Sequence, residues 1–202
     1  MQAAARQASF AARLQERRVI AGVKEPAQMA RALAAGVRVI FYLTGTIYDV
    51  AKAVRRKEAE EPDALLFCHV DLIQGLGKDE VGVRFLAQDL KVDGILTTRR
   101  HLVQAARDVG LLAIQRVFML DSEGLRTALG VLKGGRPDAI EILPALVVPH
   151  IAHRLPWEAL PPAIAGGLVE TRSELEQILA TPVKAVSTSR EELWAGARRT
   201  NK

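Results

Sequence analysis

The sequence predicts an α/β fold in which parallel strands alternate with helices and close into a βα barrel. Eight short apolar or β-branched runs, typical of buried strands, recur from Val19 onwards, and segments with helical spacing separate them. Polar side chains follow several of these runs, as expected where many loops converge on one ligand mouth. An open doubly wound sheet more often concentrates its ligand groups at one switch point. These observations favour a TIM-like barrel over an open sheet.

The elements follow one another in strand–helix order. The predicted strands cover residues 19–23, 37–43, 64–70, 94–98, 111–117, 139–143, 163–166 and 183–187. The predicted helices cover residues 26–35, 47–57, 80–90, 102–109, 122–132, 146–155 and 172–180. A complete eightfold barrel usually has about 250 residues and at least about 200. At 202 residues, we expect one unit to be reduced or irregular.

Composition and charge indicate one globular domain between two basic ends. With 49% hydrophobic residues the chain can bury a core, and with 4% aromatic residues it is a poor candidate for binding nucleic acid through rows of stacked rings. Of the net charge of +5, residues 1–18 carry +3 and residues 190–202 carry +2. We predict a basic N-terminal helix or arm (1–18), a barrel (19–194) and a basic tail (195–202), with ends that can lie close together.

Cysteine usage and hydropathy indicate a compartment. The single cysteine, Cys68, lies in an apolar run and cannot form an internal disulfide, which fits a reducing cytosol. No apolar window approaches the length of a membrane span, and residues 1–18 lack the apolar core of a signal peptide. We therefore expect a cytoplasmic protein that has no membrane partner.

Two junctions late in the chain have the features of a phosphate site. Gly166 and Gly167 follow one predicted strand, and Thr188 and Ser189 follow the next. Glycines let a phosphate approach backbone N–H groups, hydroxyls add donors, and a helix N-terminus adds a favourable dipole. Barrels commonly bind phosphate with the loops after strands seven and eight. Capping-box spacings follow both junctions, at Thr171-x-x-Glu174 and Ser189-x-x-Glu192. The alternative is a tight turn and two simple helix caps.

Charged side chains in or after the predicted strands are further candidates. Asp71 can accept hydrogen bonds from a hydroxylated ligand, hold a metal or act as a base, unless backbone donors, Lys78 or Arg116 fix it. Arg116 and Glu141 lie in apolar strands, where an unpaired charge is costly, so they pair with each other or with a ligand. Arg99 neutralises phosphate or lies on the surface.

The histidines predict neither a metal nor a catalytic site. We expect His69 to be a core histidine, and His150 and His153 lie three apart on a helix without further ligands. Cys68 has no basic neighbour to activate it. The sequence contains no Ser-His-Asp order, phosphate-loop GK[ST] motif or zinc ligand set. We predict no catalytic residue, no metal and no cofactor.

A series of motifs resembles the glycerol-3-phosphate-responsive antiterminator family, the regulators of bacterial glycerol operons. The segments that carry the resemblance stand in the family order between about Val19 and Trp194. They are His69–Leu76, Gly94–Arg99, Ala113–Ser122, Ile140–Pro144, Ala165–Leu168 and Ala185–Ser189 with Leu193-Trp194.

The resemblance implies a βα barrel, often described as a smaller, sevenfold variant, that binds glycerol 3-phosphate and acts on a leader mRNA to prevent premature termination. It implies a phosphate position at Gly166, Gly167, Thr188 and Ser189. The polyol hydroxyls would then be within reach of three charged residues. These are Asp71, Arg116 and Glu141.

Two positions depart from the family pattern. Thr46 stands where the family has an acidic residue in a Gly-Asp-Ile motif, which removes a potential polyol or metal ligand. Ala145 stands where the family often has glycine after Leu-Pro.

Two classes of function remain open. The first is a non-enzymatic regulator in which the ligand favours a conformation or homo-oligomer that binds leader mRNA through Arg and Lys. Its candidate RNA-binding residues are Arg13, Arg17, Arg18, Arg55, Arg56, Arg198 and Arg199. The second is a phosphate-binding barrel enzyme, isomerase or aldolase-like, or a metabolite sensor that does not bind RNA. A Schiff-base enzyme is disfavoured because the predicted strands carry a single lysine, Lys184, and Lys78 lies in a loop.

Overall fold

Eight parallel strands close into a barrel in the computed structural model, which describes residues 2–195 apart from 122, 125, 127–129 and 131–135. The order around the barrel is β1-β10-β9-β8-β7-β6-β4-β2, and β1 pairs with β10 to close it. The barrel strands are β1 (Val19–Val23), β2 (Val39–Tyr42), β4 (Leu65–His69), β6 (Gly94–Thr97), β7 (Leu112–Phe118), β8 (Ala139–Leu143), β9 (Ala163–Gly166) and β10 (Ala185–Thr188). Two short strands, β3 (Gly45–Thr46) and β5 (Ile73–Gln74), pair outside the barrel.

The helices confirm the alternation but not the expected reduction to seven units. They are α1 (Gln2–Glu16), α2 (Pro26–Ala34), α3 (Ile47–Glu60), α4 (Glu80–Gln88), α5 (Arg100–Asp108), α6 (Val148–Ile151) and α7 (Arg172–Leu179). All eight strands are present, so a barrel of seven is wrong, and the chain is shortened in its connections instead. The predicted helix 122–132 lies largely outside the described residues.

The connection after β8 is irregular where a helix over 146–155 is predicted. It consists of the four-residue α6 between two 3-10 turns, Ala145–Val147 and Ala152–Arg154. Leu155 has an extended backbone because Pro156 follows it, and the residue before a proline is disfavoured in the helical region. Proline chemistry therefore ends a segment whose apolar spacing alone favours a longer helix.

The two predicted capping boxes have different outcomes. At the start of α7 the Thr171 hydroxyl accepts from the Glu174 N–H while the Glu174 carboxylate accepts from the Thr171 N–H, as predicted. After β10 only a 3-10 turn forms, over Glu191–Leu193, and its N-cap is Arg190 rather than Ser189. The prediction of a second capping box is therefore wrong.

The core has two parts, one between the strands and the outer helices and one inside the barrel. Alternate residues of each strand point inward, so the interior cluster contains pairs such as Phe41 with Val39 and Phe67 with Leu65. Phe10 and Leu14 of α1, each 3% exposed, join this cluster at the strands' amino ends. The first helix thus closes one end of the barrel.

The two ends of the described chain lie at opposite ends of the barrel. Residues 2–16 form α1 at the amino ends of the strands, whereas the Trp194 indole donates to the Thr188 carbonyl oxygen at the carboxyl end of β10, at 2.9 Å. The expectation that the two basic ends lie close together does not hold for the described residues. Among those residues, none of the helices combines the length and apolar character needed to cross a membrane.

Candidate functional site

A cavity of about 460 Å³ opens at the carboxyl ends of the strands. Its walls come from the loops after β1, β9 and β10, and inward side chains of β2, β7, β8 and β10 form its floor. Five predicted site residues line it: Arg116, Glu141, Gly167, Thr188 and Ser189. The inward polar residues of several strands and the last two loops therefore meet in one place, as the barrel prediction requires.

The floor is a chain of hydrogen bonds between charged and polar side chains. Glu141, 2% exposed, accepts from Arg116 Nε at 2.6 Å and from the Ser187 hydroxyl at 2.6 Å, through different carboxylate oxygens. The buried carboxylate is paired and hydrogen-bonded, which offsets the cost of removing it from water. The predicted pairing of Arg116 with Glu141 is confirmed. The remaining guanidinium donors of Arg116, a lining residue, are at the floor of the cavity.

His69 extends this chain on the far side of Arg116. A terminal nitrogen of the Arg116 guanidinium lies 3.3 Å from His69 Nε2. Since a guanidinium only donates, Nε2 accepts and the ring proton is assigned to Nδ1. Burial, and then the charge of Arg116, lower the pKa of His69 to about 4. His69 is thus a neutral core histidine, as predicted, and it also orients Arg116.

Gly166 makes room for the floor rather than lining the cavity. A Cβ at this position would overlap both the Ser187 hydroxyl oxygen and a Glu141 carboxylate oxygen. The missing side chain therefore allows the Glu141–Ser187 hydrogen bond to form. The predicted contact of Gly166 with phosphate stays a prediction.

The loop after β9 exposes backbone donors to the cavity. Gly167 and Leu168 have left-handed backbones, with φ of 82° and 64°. The N–H groups of Gly167, Leu168, Val169 and Ser189 donate to no group in the described part of the chain, and all four residues line the cavity. Successive N–H groups in such turns form concave sites for anions. This geometry suits a phosphate group.

The two hydroxyls predicted to bind phosphate, those of Thr188 and Ser189, differ in their hydrogen bonds. The Thr188 hydroxyl donates to the Val169 carbonyl oxygen at 2.9 Å and accepts from the Arg190 N–H at 3.1 Å, so it joins the two loops. The Ser189 hydroxyl has no hydrogen-bond partner within the described residues. Of the two hydroxyls, that of Ser189 remains available to a ligand.

Two cations at the rim were not predicted as ligand residues. Arg190 forms an ion pair with Glu170 at 2.7 Å. Lys24, an exposed residue after β1, lines the cavity and has no ion-pair partner in the part of the chain that the structure describes. No local motif marks Lys24 in the sequence, since it reaches the site only because β1 closes the barrel beside β10. Ser187 was likewise missed as the partner of Glu141.

Asp71 lies outside the lining of this cavity. Its carboxylate accepts from the Thr98 N–H at 2.8 Å, from the Thr97 hydroxyl at 3.1 Å and from Arg99 Nε at 3.1 Å. Although burial acts to raise the pKa of Asp71, the hydrogen bonds from Thr98 and Thr97 help to lower it overall. Backbone and side-chain donors fix Asp71, as one alternative anticipated, with Arg99 as the cation instead of Lys78 or Arg116.

The two departures from the family pattern have structural roles. Thr46 is the N-cap of α3: its hydroxyl accepts from the Asp49 N–H, and Asp49 accepts from the Thr46 N–H. Ala145 is fully buried, and its N–H donates to the Gly167 carbonyl oxygen at 3.2 Å. Ala145 therefore helps to position the loop that carries the free N–H groups.

The predicted RNA-binding arginines are scattered. Arg17 donates to the Ala35 carbonyl oxygen, and Arg18 donates to three carbonyl oxygens around the start of β10. Arg56 pairs with Glu60 within α3, next to an exposed Arg55. Arg13 lies half-buried on α1. Arg198 and Arg199 lie outside the described residues.

No group of three or more His, Cys, Asp or Glu side chains that could hold a metal ion occurs among the described residues. His150 and His153 therefore have no additional ligands there. Cys68 is buried, and burial raises the pKa of its thiol to about 12, which is unsuited to a nucleophile.

The fold is shared with several solved structures. A glycerol uptake operon antiterminator regulatory protein from Listeria monocytogenes is 30% identical, with a TM-score of 0.78 over 89% of this chain and 95% of that one. A glycerol uptake operon antiterminator-related protein from Thermotoga maritima is 28% identical, with a TM-score of 0.77 over 89% and 99%. A phosphoribosyl anthranilate isomerase, at 12% identity and a TM-score of 0.58, shares the barrel alone.

Sequence comparison agrees with the structural likeness. The uncharacterized protein YgcP of Escherichia coli is 31% identical over 186 residues, which cover 92% of this chain and 96% of YgcP. The family model described as glycerol-3-phosphate responsive antiterminator matches residues 19–194, the whole barrel. The chain therefore belongs to the glycerol-3-phosphate-responsive antiterminator family.

Proposed function

We propose that this protein binds glycerol 3-phosphate in the mouth cavity and, in that state, binds the leader mRNA of glycerol-metabolism genes to prevent premature termination. The observation that supports this ligand is a set of N–H groups around one cavity, at Gly167, Leu168, Val169 and Ser189, that donate to no group among the described residues. Preorganised backbone donors are a recurrent way to hold phosphate. Family membership supports the regulatory role.

The cavity is divided as a phosphate ester of a polyol requires. Backbone donors and the cation of Lys24 lie at the rim, where they suit the dianionic end. The floor offers the Arg116 guanidinium as donor and the Glu141 carboxylate as acceptor for the glycerol hydroxyls. Glu141 is already bonded through both oxygens, so it accepts further only through remaining lone pairs. Gly166 leaves room for the Glu141–Ser187 hydrogen bond at the floor, and the Thr188 hydroxyl joins the loops after β9 and β10. Asp71 accepts from the Thr98 N–H and so holds the loop after β6.

The test of the ligand is a thermal-shift titration with glycerol 3-phosphate, glycerol and inorganic phosphate. We expect glycerol 3-phosphate to raise the melting temperature most, because only it engages both rim and floor. Gly167→Asp should abolish that rise, since it places a carboxylate beside the N–H groups. Gly110→Asp is the matched control, because Gly110 also has a left-handed backbone (φ 79°) and lies away from the mouth. Equal shifts in both variants would argue against this site.

The test of the RNA step is binding of the labelled leader transcript of a glycerol operon at two ligand concentrations. We expect binding to tighten with glycerol 3-phosphate and to weaken steeply with salt, since phosphate contacts dominate such affinity. An RNA affinity that is the same at both concentrations of glycerol 3-phosphate would contradict the regulatory proposal. Steady turnover of a triose or glycerol phosphate would favour an enzyme instead.

A further inference from the structure

We infer that the barrel end opposite the ligand mouth binds single-stranded RNA, an inference that rests on the proposed function. A cleft of about 800 Å³ lies there between α1 and the segments that precede β8, β9 and β10. A depression of about 170 Å³ continues it past Gln7 and Asp138, which line both. We call the two together the amino-end cleft, lined by residues within 6–18, 107–112, 136–138, 161–162 and 181–184.

The charge of this cleft is strongly one-sided. Among the described residues its lining has one carboxylate, Asp138, which accepts from the Ala113 N–H at 2.8 Å. Against it stand five basic side chains: Arg6, Arg18, Arg107, Arg136 and Lys184.

Hydrogen bonds hold two of these cations in place without cancelling their charge. The guanidinium groups of Arg6 and Arg107 donate to backbone carbonyl oxygens, which carry no formal charge. Lys184 and Arg136 are exposed and form no ion pair with a carboxylate in the described part of the chain. A cleft with this excess of fixed positive charge attracts a polyanion.

The mouth cavity differs in this respect. Its lining has three basic side chains, Lys24, Arg116 and Arg190, against the two carboxylates of Glu141 and Glu170. That balance suits one small anion. The two openings are therefore matched to different partners, a single phosphate ester at one end and a repeated anion at the other.

The shape and chemistry of the amino-end cleft favour RNA over a second copy of the chain. A two-fold symmetric interface would place each basic patch against its own copy, which repels. Four prolines in the walls have no N–H and offer apolar surface. The Gln15 amide of α1 adds a group that can hydrogen-bond to the edges of unstacked bases. The prolines and the Gln15 amide can therefore contact the ribose and bases of an RNA strand, and the cations can pair with its phosphates.

The experiment compares two double variants by the salt dependence of RNA binding. Arg136→Gln with Lys184→Gln removes two cleft charges, and the matched control, Lys52→Gln with Arg84→Gln, removes two exposed charges from α3 and α4. The probe is a fluorescein-labelled leader transcript of a glycerol operon, measured by anisotropy with saturating glycerol 3-phosphate. We expect the cleft variant to bind roughly tenfold more weakly. Its plot of log affinity against log salt should have a slope smaller in magnitude by about 1.4, which corresponds to two single-strand phosphate contacts.

The matched variant and the ligand decide between the outcomes. The control variant should bind like the parent, and both variants should keep the parent's thermal shift with glycerol 3-phosphate. Loss of affinity in the control variant alone would overturn the cleft assignment while leaving the proposed function intact. A parent that binds no leader RNA at any ligand concentration would overturn both. A parent without the thermal shift but with cleft-dependent RNA binding would overturn only the ligand.

A competition experiment tests whether the amino-end cleft binds an acidic peptide as well as it binds RNA. Poly-L-glutamate at the same charge concentration should displace the transcript much less effectively than an unlabelled single-stranded RNA. Equal displacement would show that any polyanion suffices and would overturn the assignment to RNA.

Discussion

Gly166 decides whether the floor of the mouth cavity can form. A methyl group there overlaps the Ser187 and Glu141 oxygens that share a hydrogen bond. We expect Gly166→Ala to destabilise the protein by about 1–3 kcal/mol through overpacking and to remove the response to glycerol 3-phosphate. Thermal unfolding with and without ligand measures both effects. Gly130→Ala is the control, because a Cβ at Gly130 meets no atom of the described residues within 4 Å. Equal behaviour of the two variants would contradict this role of Gly166.

Substitution of Lys24 tests the phosphate end of the mouth cavity separately from the polyol end. It is a lining residue without an ion-pair partner among the described residues, so its charge is available to an anion. We expect Lys24→Gln to weaken glycerol 3-phosphate roughly tenfold, the effect of losing one exposed charge-assisted contact. Isothermal titration calorimetry measures this change. Lys52→Gln on the exposed surface of α3 is the control, and an unchanged affinity in Lys24→Gln would place the phosphate elsewhere.

His69 predicts a defined pH dependence of stability. Burial lowers the pKa of His69 from its ordinary value of 6.5 to about 4 in the folded protein, so between these pH values the unfolded chain binds more protons than the folded protein. Stability is therefore lost as pH falls from about 6.5 towards 4, by on the order of 3 kcal/mol. Urea unfolding at a series of pH values measures it. His69→Gln should flatten the profile in this window, whereas His101→Gln, at an exposed site, should not.

At the scale of elements, α1 is part of the barrel rather than a loose arm. Phe10 is 3% exposed and lies against Phe67 with ring centroids 5.1 Å apart. We expect Phe10→Ala to lower the free energy of unfolding by about 3–5 kcal/mol, as truncation of a buried aromatic residue does, and to lower the melting temperature. Phe118→Ala, at a residue that is 47% exposed, should change the melting temperature little. A small effect of Phe10→Ala would mean that α1 does not close the barrel in solution.

The elements that sequence reasoning predicts well are those with local causes. Continuous β-branched runs predict all eight strands because a strand buried on both faces has no polar alternation to break it. The prediction of one helix over 146–155 is wrong: Pro149 lies in the first turn of the short α6, and Pro156 follows the extended Leu155. Glycines and hydroxyls directly after strands predict the two junctions whose residues Gly167, Thr188 and Ser189 line the mouth cavity.

Other features depend on residues far apart in the chain. The bond between Arg99 and Asp71 forms only once β6 lies beside the segment after β4. The amino-end cleft collects cations from residues 6 to 184, and no sequence window shows them together. The charge count placed the basic excess at the chain ends, which describes α1 but not Arg107 or Arg136. These groupings of charged residues therefore arise from the closure of the barrel and cannot be read from composition or local spacing.

At the scale of the whole molecule, an aromatic column joins the two openings through the barrel interior. Phe41 lines the mouth cavity, and its ring centroid lies 5.7 Å from that of Phe67. Phe67 in turn contacts Phe10, which lines the amino-end cleft. Close-packed interiors transmit displacement because they contain little free volume. The column is thus a physical connection between the ligand site and the surface proposed for RNA.

This connection predicts a coupling that is equal in both directions. If glycerol 3-phosphate tightens RNA binding by some factor, RNA must tighten glycerol 3-phosphate by the same factor. Calorimetry of the ligand with and without RNA, set against anisotropy of RNA with and without ligand, measures both. We expect Phe67→Leu to reduce the factor because it opens a gap between Phe41 and Phe10, while Phe85→Leu, outside the interior cluster, preserves it. A factor unchanged by Phe67→Leu would show that the coupling follows another route, since only a perturbed coupling identifies a path.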